Sequence, residues 1–180
     1  MRRAAGRLAA SLIVVLGLLL GQDEAAARRE PVSATGKVTR VSDGDTLWLQ
    51  LDGAGRKRPI KLRLEGIDAP ESCQPWGAQA RQALSGRLLG RQVRLSLRGR
   101  DRYRRWLGNV SLQGEDVSAW MVREGHAWSY RSGRGGGPYA RQEAEARARR
   151  RGLFGAIDPM PPRVFRQWHG ACPAPRRRPA

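Results

Sequence analysis

The feature that most constrains the fold is a short-range alternation of apolar and polar residues with a period of two. In residues 46–51 every second side chain is leucine, and residues 59–64 repeat the pattern with Ile60, Leu62 and Leu64. Successive side chains of a strand point to opposite faces of a sheet, so each segment predicts a strand with one face against a core. Short strands of this kind are typical of a small closed β-barrel.

Three further segments complete a prediction of five strands. Residues 37–41 precede the first alternating segment, and the turn between them contains Asp43-Gly44, where glycine is expected to supply a positive φ. Val93, Leu95 and Leu97 mark the fourth strand, and residues 106–112 form the fifth.

Three helices are predicted around these strands. Pro75 can begin the first and Gly90 end it, with apolar residues at helical spacing between them. Asp116 can cap a short second helix that ends at Gly125. A third helix extends from Pro138 to near Gly152.

The order of these elements predicts an α+β fold that is mainly β, a five-stranded OB-type barrel with about three helices. We expect the barrel domain to span residues 35–157. A polar lead-in (28–34) would precede it, and a tail rich in proline and arginine (158–180) would follow it.

The charge of the chain points to phosphate-rich partners. There are 34 Lys and Arg residues against 16 Asp and Glu, which gives a net charge of +18, and all but Lys37, Lys57 and Lys61 are arginine. This balance favours nucleic acid, although biased genome composition or a need for solubility would produce the same excess. The apolar fraction of 40% argues against a disordered polycation.

The first 27 residues resemble a secretory signal peptide. Arg2, Arg3 and Arg7 precede an apolar stretch at 8–20, and the segment ends in Ala25-Ala26-Ala27. The stretch would rise about 20 Å as a helix, less than a bilayer core of ~30 Å, so cleavage is favoured over a retained anchor. We therefore expect an exported protein, periplasmic or secreted, with no stable membrane insertion after cleavage. We also expect the protein to be a monomer.

Cys73 and Cys172 are the only cysteines. After export they would meet an oxidising environment, so a Cys73–Cys172 disulfide is predicted, with two independent buried thiols as the alternative. The disulfide would hold the tail close to the segment that follows Glu71.

Three carboxylates lie where strands meet loops. Asp45, Asp68 and Glu71 could each have a local role, because an aspartate in a turn often binds its own backbone and a glutamate can stabilise a helix terminus. Together they suggest another role, since clustered carboxylates repel one another unless a cation binds them, and hard oxygen ligands suit Ca²⁺.

The chain resembles the staphylococcal-nuclease-like (thermonuclease) family. The resemblance rests on Asp43-Gly44-Asp45-Thr46, on Arg63 through Asp68-Ala69-Pro70-Glu71, and on Asp101-Arg102-Tyr103-Arg104-Arg105, in this order. It implies an OB-type barrel that cleaves the phosphodiester backbone of DNA and RNA with Ca²⁺.

The resemblance also implies individual residue roles. Asp45, Asp68 and the carbonyl of Ala69 resemble the metal ligands, and Asp43 would lie near the metal, through water. Glu71 resembles the general base that acts on the attacking water. Arg63 and Arg105 resemble the pair that binds the scissile phosphate.

Arg102 and Tyr103 would flank a second phosphate, and Tyr130, then Tyr139, are the candidates for stacking on a base. One residue departs from the family pattern, because Arg104 stands where glycine is usual. A catalytically inactive OB-fold nucleic-acid-binding module is the main alternative, and a cationic envelope-binding protein is a third. Neither needs all of Asp45, Arg63, Asp68, Glu71 and Arg105, which favours catalysis.

Overall fold

The computed structural model describes residues 30–53, 58–130, 136–170 and Cys172. Its eight strands are β1 (Val32–Val41), β2 (Thr46–Leu51), β3 (Ile60–Leu64), β4 (Ile67–Asp68), β5 (Gln92–Arg100), β6 (Trp106–Leu112), β7 (Glu115–Asp116) and β8 (Trp128–Ser129). Its four α-helices are α1 (Gly77–Leu88), α2 (Val117–Arg123), α3 (Ala140–Ala148) and α4 (Pro162–His169). The proposed signal peptide lies outside the described residues.

Five strands close into a barrel. The main sheet has the order β3-β2-β1-β5-β6-β7, and a parallel pairing of β3 with β6 joins Leu62 to Trp106 and closes the ring. The other neighbouring pairs are antiparallel. The fold is therefore the predicted five-stranded barrel, mixed α+β and mainly β.

The alternating residues fill the barrel as their period requires. Leu47, Leu49, Leu62 and Leu64 are all buried, at no more than 1% exposure. Residues of the other strands and of α1 complete the same core, among them Val38, Leu84, Leu88, Leu95, Leu97 and Val110. The polar side chains of β3 consequently point away from the core, and Arg63 is one of them.

The helices agree with their sequence signals. The side chain of Asp116 accepts hydrogen bonds from the backbone N–H groups of Ser118 and Ala119, which satisfies free donors at the start of α2. Helix α1 buries Ala80, Leu84 and Leu88 on one face. In the described part of the chain no helix is long and apolar enough to span a membrane.

Regular secondary structure extends beyond both predicted ends of the barrel domain. Strand β1 begins at Val32, inside the predicted lead-in, because its first residues pair with β5 from Val32–Leu97 onward. Helix α4 lies in the predicted tail, where Pro162 stands in the first turn and Gly170 follows the last residue. Helix α4 is not predicted from the sequence because the segment is rich in proline. Proline is nevertheless compatible with the first turn of a helix, where its missing N–H would have no partner within the helix.

The disulfide between Cys73 and Cys172 is present. It joins residues 99 positions apart, with Cα atoms separated by 5.6 Å. The side-chain amide of Gln74 also donates a hydrogen bond of 2.7 Å to the carbonyl of Met160. The C-terminal segment is thus attached on both sides of α4 to the residues that follow Glu71.

We expect the disulfide to contribute substantially to stability. Replacing both Cys73 and Cys172 with serine should lower the free energy of unfolding by about 4–5 kcal/mol, because a crosslink over so long a loop restricts the unfolded chain. Denaturant unfolding measures the change, and the unmodified protein under reducing conditions should reproduce it. Equal stability with and without reductant would contradict the expectation.

Candidate functional site

A cleft of about 1000 Å³ lies at the edge of the barrel and gathers the predicted site residues. It is lined by Asp43, Asp45, Arg63, Ala69, Glu71, Arg102, Tyr103, Arg105 and Tyr130, which come from four separate segments of the chain. Asp68 is bound by Arg63 and Arg166, two residues that line the cleft. Closure of the barrel therefore brings the three sequence motifs to one site.

The turn between β1 and β2 places two aspartates at the cleft. The backbone N–H of Asp45 donates to Oδ1 of Asp43 at 3.0 Å, and Asp45 is only 3% exposed. Gly44 does not adopt the positive φ predicted for it. A glycine is needed there because a Cβ would come within 2.7 Å of the Ala69 Cβ and 2.8 Å of the Ala80 Cβ.

Arg63 connects the first two acidic motifs. Its Nη1 lies 2.7 Å from both carboxylate oxygens of Asp45, and its Nη2 donates to Oδ1 of Asp68 at 3.0 Å. Burial opposes the charge of the guanidinium, but the negative charges of Asp45 and Asp68 outweigh it and raise the pKa of Arg63. The planar guanidinium contacts the two carboxylates through two different nitrogens, whereas an ammonium group would have to reach both from a single nitrogen.

The carboxyl group of Asp43 has a strongly raised pKa. Burial, together with the negative charge of Asp45, raises the pKa of Asp43 to about 7. Its carboxyl group is therefore partly protonated at neutral pH unless additional positive charge stabilises the anion.

Glu71 lies at the mouth of the cleft with its carboxylate about one third exposed. Its backbone N–H donates to the side-chain oxygen of Gln74 at 3.1 Å, and the Gln74 N–H donates to the Glu71 carbonyl at 2.9 Å. This local pair of bonds fixes the backbone of Glu71. Its Oε1 accepts a hydrogen bond of 2.6 Å from Nη1 of Arg166.

The basic turn between β5 and β6 is built around Asp101. Its Oδ1 accepts from the backbone N–H groups of Tyr103 at 2.9 Å and Arg105 at 3.0 Å, and its Oδ2 lies 2.7 Å from Nε of Arg105. Arg104 adopts a φ of 62°. Arg104 therefore holds a left-handed conformation that glycine adopts more readily, at a cost of roughly 1–2 kcal/mol.

The two tyrosine candidates have different environments. Tyr130 is 46% exposed at the edge of the cleft and can offer its ring to a ligand. Tyr139 is 8% exposed, and its hydroxyl donates to Oδ2 of Asp116 at 2.9 Å. Tyr139 also lines the cleft but packs into the core, so Tyr130 offers much more of its ring to a ligand.

Asp45, Asp68 and Glu71 lie close together, and each of them is paired with an arginine side chain. Within the described ranges, no three His, Cys, Asp or Glu side chains are arranged so as to hold a metal ion. Instead, Arg63 bridges Asp45 and Asp68, and Arg166 bridges Asp68 and Glu71. The carboxylates thus form a chain in which guanidinium groups provide the positive charge.

Arg166 is the site residue that the sequence motifs did not reveal. It comes from α4, outside the predicted barrel domain, and it is one of 31 arginines, so its residue type carries no signal. The one available indication was the pair of cysteines, which places the tail near Glu71.

Comparison with known proteins agrees with the motifs. A sequence profile of the family described as "Staphylococcal nuclease homologue" matches residues 61–155. Protein ParB of Escherichia coli is 41% identical over 138 residues, which cover 69% of this chain and 76% of ParB. An uncharacterized endonuclease of Haemophilus influenzae is 35% identical over 133 residues, 74% of this chain and 73% of the relative. A micrococcal nuclease of Shigella flexneri is 37% identical over 145 residues, 73% of this chain and 80% of the relative.

Proposed function

Since the chain belongs to the family of staphylococcal nuclease homologues and is therefore a nuclease, a hydrolase acting on nucleic acid, we propose that it is a Ca²⁺-dependent endonuclease that hydrolyses phosphodiester bonds of DNA and RNA with little sequence specificity. The observation that carries the proposal is the bridging of the buried Asp45 and Asp68 by Arg63, beside Glu71 and Arg105 in one cleft. A binding module without catalysis would not need carboxylates buried next to phosphate-binding groups.

The donor set suits a hard divalent cation. Asp45 and Asp68 are buried carboxylates at 3% and 4% exposure, and Asp43 lies beside Asp45 in the same cleft. Asp45, Asp68 and the carbonyl of Ala69 would hold the ion, with Asp43 near it through water. Bound Ca²⁺ would polarise the phosphate and help to position the attacking water.

The protein's own groups account for the remaining chemistry. Glu71 would accept the proton of the attacking water, because it lines the cleft and its backbone is fixed. As the new P–O bond forms, the scissile P–O bond would break, and the leaving oxygen would take a proton from solvent. Arg63 and Arg105 would bind the scissile phosphate and stabilise the negative charge that grows on its oxygens. The pairing of Arg105 with Asp101 orients its guanidinium before substrate arrives.

The remaining cleft residues favour broad substrate selection. Arg102 lies 4.9 Å from the ring of Tyr103 and Arg105 lies 5.3 Å from it, so charge and an aromatic face stand together. Arg102 and Tyr103 would flank a second phosphate, and Tyr130 would stack on a base. Phosphates and aromatic faces are common to all nucleotides, so these contacts confer little sequence preference.

Export remains part of the proposal. The N-terminal signal peptide would direct the chain to the periplasm or beyond the cell, where it would act as a monomer. The Cys73–Cys172 disulfide supports this location, because such bonds persist in oxidising compartments.

Incubation of the purified mature chain with supercoiled plasmid and with single-stranded RNA tests the proposal. We expect both to be degraded in Ca²⁺, degradation to stop with a calcium chelator, and excess Ca²⁺ to restore it. Asp45→Asn is the matched negative control. Cleavage that persists in the chelator would contradict the metal requirement, and binding without cleavage would favour the inactive module.

A further inference from the structure

Helix α4 carries an arginine into the acidic part of the cleft. Arg166 donates from Nη2 to Oδ2 of Asp68 at 3.0 Å, and from Nη1 to Oδ1 of Asp68 at 3.2 Å and Oε1 of Glu71 at 2.6 Å. The guanidinium therefore binds Asp68 through both oxygens and the proposed base Glu71 at the same time. A guanidinium stays protonated in proteins, so Arg166 brings a positive charge to both carboxylates.

Arg166 is held in place from both sides along the chain. We call residues 160–172 the C-terminal strap. At its start the carbonyl of Met160 accepts a hydrogen bond from Gln74, and at its end Cys172 is joined to Cys73. Both attachment points follow directly after Glu71, so the strap has its ends beside the carboxylates that Arg166 contacts.

We infer that Arg166 is an additional active-site residue that acts as an internal counter-cation and competes with the divalent ion for Asp68. This inference rests on the proposed function, since it assumes that Asp68 is a ligand of that ion. A guanidinium that binds both oxygens of a carboxylate leaves few lone-pair positions for a metal. A second cation at the same group is also repelled by the first.

The double attachment of the strap makes this competition effective. A side chain tethered within reach of its partner has an effective concentration of roughly millimolar, so a free ion has to be abundant to compete with it. The disulfide and the Gln74–Met160 hydrogen bond provide that tether. The strap thus lowers the affinity of the cleft for divalent ions and limits activity to places where such ions are abundant.

Calorimetric titration of CaCl₂ into the mature protein without nucleic acid tests the inference by binding alone. Arg166→Ala should lower the dissociation constant for Ca²⁺ about tenfold, within the usual range for coupling between two ligands of one site. Arg166→Lys should remain nearer to the unmodified protein because it keeps the charge. A larger Ca²⁺-induced rise in melting temperature for Arg166→Ala gives an independent measurement.

Arg163→Ala is the matched control, because it removes an exposed arginine from the same helix and changes the net charge equally. We expect its Ca²⁺ affinity to stay within about twofold of the unmodified value. Addition of Asp45→Asn to Arg166→Ala should abolish the gain, and replacement of both cysteines with serine should reproduce part of it.

The inference would be overturned if Arg166→Ala bound Ca²⁺ with unchanged or weaker affinity, or did not bind it at all. An equal gain of Ca²⁺ affinity in Arg163→Ala would also overturn it. Failure of the proposed function is distinguished by the chelator experiment, because cleavage that needs no Ca²⁺ refutes the metal requirement whatever the titrations show.

Discussion

Replacement of Glu71 with glutamine is expected to reduce turnover about 10²–10⁴-fold while the fold stays intact. The amide is nearly the same size as the carboxylate but cannot accept a proton from the attacking water. Glu71 is partly exposed and its backbone is fixed by Gln74, so the substitution leaves the structural contacts of its main chain unchanged. Initial rates on a defined oligonucleotide, together with thermal unfolding, measure the two effects separately.

The contact between Glu71 and Arg166 makes a second comparison necessary. Glu71→Gln also weakens an ion pair, so the same substitution is to be measured in the Arg166→Ala background. Proton transfer predicts an equally large loss in both backgrounds. If the loss disappears when Arg166 is absent, Glu71 acts through the ion pair and is not the base.

Glu65→Gln is the matched control for charge. Glu65 lines the same cleft and pairs with Arg98 at 3.2 Å, but it has no part in the proposed chemistry. Its rate should stay within a few-fold of the unmodified enzyme. A loss as large as that of Glu71→Gln would show that any carboxylate of the cleft is needed for electrostatic reasons.

Replacement of Arg63 with lysine should lower turnover about 10²–10³-fold, even though the charge is retained. The guanidinium binds Asp45 through one nitrogen and Asp68 through another, 2.7 and 3.0 Å away. An ammonium group would have to reach both carboxylates from a single nitrogen, and it lacks the planar pair of N–H donors that binds a phosphate in a bidentate manner. We also expect lower stability, because the buried Asp45 would lose its guanidinium partner, whereas Asp68 would keep Arg166.

Arg98→Lys provides the comparison for this exchange. Arg98 is an exposed arginine at the same cleft, and its side chain pairs only with the partly exposed Glu65 among the contacts described. Lysine should replace it with little change in rate. Near-normal activity of Arg63→Lys would rule out the bidentate role, whereas similar losses in both variants would point to a general demand for arginine in the cleft.

Local sequence patterns predicted most of the fold. Leu47 and Leu49, like Leu62 and Leu64, are buried because a strand sends alternate side chains to the same face. Asp116 caps α2 as its residue type predicts. Such signals act within one turn or one strand, so they need no knowledge of distant contacts.

Other features depended on contacts between distant segments. The small pairing of β4 with β8 joins Asp68 to Trp128 across the chain, and its two-residue strands are too short to show a pattern. The early start of β1 depends on pairing with β5. The local turn pattern suggested the wrong reason for Gly44, whose close neighbours Ala69 and Ala80 come from later segments.

The sequence by itself determined the barrel and most of the residues around its cleft, because residue type and periodicity are local properties that survive without coordinates. Only the tertiary structure decided which charges neutralise one another. Arg63 bridges Asp45 and Asp68, and Arg166 arrives from a helix 98 residues after Asp68. In a chain with 31 arginines, the motif singles out Arg63, but only distance in space distinguishes Arg166, and the disulfide helps to set that distance.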